Sequence, residues 1–246
     1  MKFWRNWHRW LGLIIGLQVL LWVSGGVVMS LIPIDLVRGQ HLVERTEFSE
    51  NLIAKPILES NSHLDLKQWR ELKWLNRNGQ AILKATSFDG QQHFLDSRGV
   101  HVEPLAIDKV NQIAQQQYTQ QAGIATTNLL NAVPSEVKHL SAPVYQVVFD
   151  DLISTTFYVS PLSGQVESVR SDIWRFYDFF WMLHIMDYQA RSDFNNPLLI
   201  AAALVSLLFS SSGLYLVYLT LVKPKFLKLT YRSKQFTTSE RKQSES

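Results

Sequence analysis

The sequence predicts an α+β membrane protein in which two transmembrane helices flank one mixed domain built of antiparallel hairpins or meanders plus helix. Three observations carry that reading: two long uncharged apolar runs, basic residues concentrated outside them, and alternating strand-like segments between them. The 246 residues alone would allow one or two ordinary domains. The uneven spread of hydrophobicity decides the class.

Residues 1–10 hold Lys2, Arg5 and Arg9 and no acidic residue. From Leu11 to Ile34 only Gln18 and small residues interrupt an apolar run of 24 positions. As a helix it would reach about 36 Å, enough for a hydrocarbon core of about 30 Å. It outruns a signal-peptide core of about 7–15 residues. "SGGVVMSLIPIDL" offers no A-x-A cleavage site, so the run reads as an uncleaved anchor. Residues 198–222 form a second uncharged run, and Asn195 and Asn196 before Pro197 suit its start. The tail 223–246 has seven Lys/Arg against two Glu, whereas Asp35–Pro197 has 14 basic and 19 acidic residues. Basic flanks stay in the cytoplasm, so both termini are expected inside and the middle outside. The pI near 9.0 therefore follows from topology and argues poorly for a nucleic-acid partner.

Residues 35–172 hold two weakly repeated units, about 63–105 and 106–170. "AILKATSFDGQQHFLDSRGVHVEPL" and "VYQVVFDDLISTTFYVSPLSGQVESV" each give an alternating strand, a polar turn, an aromatic-rich strand, a Gly turn and a short third strand. Ahead of the second, Ala106–Gly123 has helical spacing with Gly123 as stop. Ahead of the first, "LDLKQWRELKWL" reads as extended or mixed. The arrangement expected is helix then meander, twice. An amphipathic interfacial helix is expected over 173–190, where Tyr177, Trp181, His184 and Tyr188 recur at helical steps.

Cysteine is absent, which excludes disulfides, Cys-ligated metal centres, thiol catalysis and covalent haem attachment. No G-x-S-x-G, H-E-x-x-H, G-x-G-x-x-G or P-loop occurs, so hydrolytic chemistry and binding of NAD(P)H or ATP find no support. The seven histidines form no zinc spacing. His8 shares a helix face with Gly12 and Gly16, a small-residue seam that admits a second helix or the edge of a flat ring. It also reads as an interfacial residue beside Trp4, Trp7 and Trp10. His184, framed by rings, suits axial ligation of haem iron, with Asp187 or Asp178 as acceptor for its other nitrogen, and equally suits an amphipathic interfacial side chain. His41 lies just beyond the outer end of the first run. Asp150–Asp151, Glu136 and Asp89 could hold Fe³⁺ transiently, although "FDDLIST" reads first as a hairpin turn. His93 and His101 read as solvent-facing strand residues, and His63 and His139 give no signal.

The stretch "PVYQVVFDDLISTTFYVSPLSGQV" resembles the second half of a PepSY domain. "WHRWLGLIIGL" and "WMLHIMDYQARSDFNNPLL…SGLYLV" resemble the flanks of PepSY-associated transmembrane proteins, a group that includes haem-bearing reductases of ferric iron or ferric siderophores. The resemblance covers most of the chain and implies a bacterial inner-membrane protein with a periplasmic PepSY-like region. It implies b-type haem and ferric reductase activity, with His184, His8 and His41 as candidate ligands and Trp181, Tyr188 and Tyr177 against the macrocycle. The electron donor would be quinol or a cytoplasmic flavoprotein. Larger members have more membrane helices, so a complete site here implies a homodimer. His8 and His184 stand at opposite faces of the bilayer and cannot share one iron within a chain. The alternative, from a different class, is a membrane-anchored PepSY-like binding, regulatory or accessory subunit without a redox centre.

Overall fold

The computed structural model describes residues 2–45, 68–189 and 191–222. The basic tail, His63 and the start of the first expected repeat lie outside the described residues. The fold is mixed α+β with two antiparallel sheets, and the chain divides into a helical unit (Met1–Leu31 with Phe179–Ser246) and an α+β unit (Ile32–Asp178).

In the helical unit, α1 spans Lys2–Leu31 and stops where Pro33 forbids continuation. A short turn, α2 (Ile34–Val37), opens the α+β unit. The expected straight span 11–34 thus starts earlier and ends three residues sooner, and its apolar portions Asn6–Leu13 and Ile15–Leu31 meet at 46°.

The second run is the candidate apolar helix of the fold. Pro197–Leu221 has mean hydropathy 2.0 and is long and apolar enough to cross a bilayer. We label Ile107–Gln117 α3, Asp172–Ile185 α4 and Pro197–Val217 α5; α5 continues as a π-turn over Tyr218–Val222. Asn196 caps α5 as expected, its side chain accepting the Leu199 N–H at 2.9 Å with Pro197 at the first helical position. Leucines 204, 207, 208 and 214 all stand exposed. A helix apolar all round and uncovered requires a non-aqueous surround or a partner.

The α+β unit holds β1 (Trp69–Arg77), β2 (Gln80–Ser87) and β3 (Gln92–Leu95) in one antiparallel sheet. A second carries β4 (Ile124–Leu130), β5 (Val144–Phe149), β6 (Thr156–Val159) and β7 (Val166–Arg170) in sequential order. Val147 pairs with Phe157, and their face packs on Val110, Ala114 and Tyr118. The opposite face seats Tyr158 with Val144 and Val137. Strand β6 is consequently buried on both faces, which explains its unbroken aromatic and β-branched run.

Three expectations change. The helix-then-meander order appears once among the described residues, ahead of the second meander, while the segment from Trp69 is strand, as its extended reading allowed. Helix α3 ends at Gln117 and not at Gly123, because Tyr118 turns extended, bridges to Val43 and donates its hydroxyl to Asp151 at 2.6 Å. Strand β4 was not anticipated, since an edge strand with polar Thr126, Thr127 and Asn128 shows little alternation.

Gly39 has φ +64°, and a Cβ there would lie 2.6 Å from Cγ1 of Val169. Gly79 has φ +86° with nothing within 4 Å. Gly79→Ala should cost about 1–2 kcal/mol of αL strain, and Gly39→Ala about 1–3 kcal/mol more from the clash. Equal shifts in urea midpoint for the two variants would contradict the packing described at Gly39.

Candidate functional site

Helix α4 begins in the α+β unit and ends in the helical unit. Its first turn is held by Arg175, whose guanidinium donates to both oxygens of Glu136 at 3.1 and 3.3 Å and to Asp172 at 3.0 Å. Tyr158 donates its hydroxyl to the same Glu136 at 2.6 Å. Arg170 donates to the Glu136 carbonyl at 2.9 Å and lies 4.3 Å over the Trp174 ring.

The helix stops at Ile185, five residues short of the expected end, because Met186 adopts φ +53°. Asp187 then accepts the backbone N–H groups of Gln189, Ser192 and Asp193 at 3.2, 2.9 and 3.0 Å. Asn196 donates to the carbonyls of Ile185 and Asp193, both at 2.9 Å, closing the connection to α5. Asp187 therefore organises a turn. Tyr188 falls off the helix and is exposed, so the expected four-residue face reduces to Tyr177, Trp181 and His184.

His184 occupies the last turn of α4 in the helical unit. Its ring lies 6.5 Å from that of Trp22 on α1 at 52°. Gly25, one turn beyond Trp22, lies beside it: a Cβ there would sit at ordinary contact distance, 3.4 Å from the Phe180 carbonyl oxygen and 3.7 Å from Cβ of His184. A cavity of about 390 Å³ opens beside the imidazole, lined by Trp22, Trp181, His184, Ile185, Phe194 and Leu199. Trp181 and Phe194 meet edge to face at 5.5 Å in its wall. Nδ1 of His184 and Nε1 of Trp22 are both buried with no hydrogen-bond partner among the described residues. Each such group carries a desolvation cost of about 1–3 kcal/mol.

The other predicted residues are placed elsewhere. His8 stacks on Phe209 at 4.4 Å and 8°, and its Nδ1 lies 2.8 Å from Oγ of Ser212. Gly213 and Gly12 allow this close approach of α5 to α1. Seventeen residues separate His8 from Gly25, about 25 Å of helix. His41 is exposed in the α+β unit, where its carbonyl accepts from Thr119 at 2.7 Å. Tyr177 is half-buried, and neither it nor His41 lines the His184 cavity. Only His184 and Trp181 of the predicted set come together. Trp22, Gly25 and Phe194 were missed; Trp22 and Gly25 share a helix face at i, i+3, a signal readable only once a partner ring is known.

The candidate acids serve the fold. Among its described contacts, Asp89 takes a hydrogen bond from the Ser87 hydroxyl and one from the Gln91 N–H. Asp151 ties the β5–β6 turn through Thr155 and Tyr118, beside a cavity of about 980 Å³ that His41 and Asp150 also line. Among the described residues no group of three His, Asp or Glu gathers as a metal site.

Burial pushes the Asp151 carboxyl up, but hydrogen bonds from the Thr155 and Tyr118 hydroxyls and backbone N–H groups outweigh it and hold the group below the usual carboxylate range. Burial, then the bond to Asp151, pushes the Tyr118 phenol up to about 12. The lowered Asp151 contributes stability above the ordinary carboxylate range that is lost as pH falls through its folded value. The raised Tyr118 contributes stability below its ordinary value of 10.0 that is lost as pH rises through about 12. Asp151→Asn should flatten the acid limb of a urea-midpoint profile against pH, and Tyr118→Phe the alkaline limb. An acid limb as steep as wild type in Asp151→Asn would contradict this account.

Comparison with protein-family models, curated proteins and solved structures finds no significant match for this chain.

Proposed function

We propose that the chain is a b-type haem protein of a bacterial inner membrane that passes electrons to periplasmic ferric iron. In this reading α1 and α5 both cross the bilayer, the termini are cytoplasmic, and the α+β unit, PepSY-like in its second meander, is periplasmic. The two apolar runs and the basic flanks support the topology.

The observation that supports the cofactor reading is that His184 lines an apolar cavity with Trp22, Trp181 and Phe194, its Nδ1 having no hydrogen-bond partner among the described residues. The residues fit the group. His184 would hold the haem iron through its imidazole, and Trp22, Trp181 and Phe194 would pack against the macrocycle. A bound haem would supply one-electron iron chemistry at a potential set by its ligands and burial. The chain's own residues supply aromatic walls around the imidazole, which packs against α1 at Gly25. About 390 Å³ lies within the usual range for small-molecule sites, about 300–1,000 Å³, and at its low end. In this reading a second copy supplies the remaining walls and the second ligand, so the active species is a homodimer. Electrons would come from quinol or a cytoplasmic flavoprotein. His8 has in this reading a structural role between helices.

A membrane-anchored binding subunit without a redox centre is the second reading, favoured by the 980 Å³ cavity of the α+β unit with its mixed polar lining. An absorption spectrum of the detergent-solubilised chain, expressed with ample haem, separates the two. The expected result is a Soret band in wild type, at least tenfold weaker in His184→Ala and retained in His8→Phe. A pigment-free wild type, or a fully pigmented His184→Ala, would favour the binding subunit.

A further inference from the structure

We propose that His93 and His101 form a surface site for a divalent first-row transition metal, with copper(II) the preferred ion. The site lies on the three-stranded sheet of the α+β unit and is independent of the cofactor reading. His93 stands in the middle of β3, paired with Ala85 of β2. His101 lies on the segment that returns after the Asp96–Gly99 turn and bridges to Leu95, two residues on from His93. The two histidines are thus diagonal neighbours on one face, within reach of long side chains. Their ring centroids are 5.5 Å apart at 52°. Imidazole nitrogens bind such ions at about 2.0–2.1 Å, which sets two rings sharing an ion about 5–6 Å apart, and the observed spacing falls in that range.

The surroundings fix this geometry in advance. Asp96 accepts the N–H groups of Arg98 and Val100 at 2.8 and 2.9 Å, and the Val102 N–H donates to the Phe94 carbonyl at 3.0 Å, so the returning segment is held in register. Trp69 packs edge-on to His93 at 5.2 Å and limits the rotamers of that ring. A bulge between Trp69 and Glu71 breaks the β1–β2 register at this end of the sheet. His93 is half-buried and His101 exposed, so water can fill the remaining coordination positions; no third His, Asp or Glu joins them among the described residues. Two imidazoles without a thiolate or carboxylate suit Cu²⁺ and, more weakly, Zn²⁺, in the order of intrinsic affinity of these ions.

The test titrates copper(II) sulfate into the purified full chain in detergent and follows electron paramagnetic resonance and tryptophan fluorescence. One Cu²⁺ per chain should show coupling to two imidazole nitrogens and quench part of the emission, with quenching reduced in Trp69→Phe. His93→Gln and His101→Ala should each weaken binding at least tenfold and leave one coupled nitrogen, with unchanged circular dichroism. His184→Ala should leave the signal intact, which separates this result from the fate of the haem proposal. Wild-type affinity in the His93→Gln/His101→Ala double variant, or a wild-type spectrum with a single coupled nitrogen, would overturn the assignment.

Discussion

Glu136 is the point on which the α+β unit turns. Its carboxylate takes the Tyr158 hydroxyl and a two-pronged contact from Arg175, while its carbonyl takes Arg170. Tyr158 is fully buried in the central strand, so its hydroxyl would be costly without that acceptor. The Arg175 contact is about a third exposed on the arginine side, which keeps the charges partly hydrated and avoids the full penalty of a buried ion pair. One acidic residue in a 3₁₀ turn therefore joins strand β6, strand β7 and the first turn of α4. The far end of the same helix carries His184.

Polar atoms in the helical unit are treated differently. Where His8 meets α5, a hydroxyl and an aromatic face satisfy the ring, and glycines on both helices permit the contact. Where His184 meets α1, a glycine is again present, but Nδ1 has no hydrogen-bond partner among the described residues. Both rings lie against a glycine, tightly for His8 at Gly213 and at ordinary contact distance for His184 at Gly25, and they differ in whether Nδ1 is paired among the described residues.

The acidic residues show how far local structure absorbs apparent chemistry. Asp151, Asp187, Asp96 and Asp89 all accept backbone N–H groups in turns, the ordinary use of aspartate where a chain reverses. The paired carboxylates in "FDDLIST" read first as a hairpin turn, and Asp151 is engaged on both oxygens by Thr155 within that hairpin and by Tyr118 from outside it. Four histidines instead meet aromatic or imidazole rings: His8, His93, His101 and His184.

Much of the architecture was legible in one dimension. The apolar runs, the Asn196 cap and the hairpins of β5 to β7 follow from periodicity and turn chemistry that act over a few residues. The polar edge strand β4 and the early stop of α3 were not, because each depends on a partner distant in sequence: β5 for the strand, Val43 and Asp151 for Tyr118. The sequence by itself determined that His184 lies among aromatic rings before an uncharged helix. Only the tertiary structure decided that α4 ends at Ile185, that Asp187 is drawn into a turn, and that Trp22 and Gly25 of a helix some 160 residues earlier face the imidazole. Contacts between remote segments are set by which surfaces can pack without clash, and neighbouring residues carry no record of that.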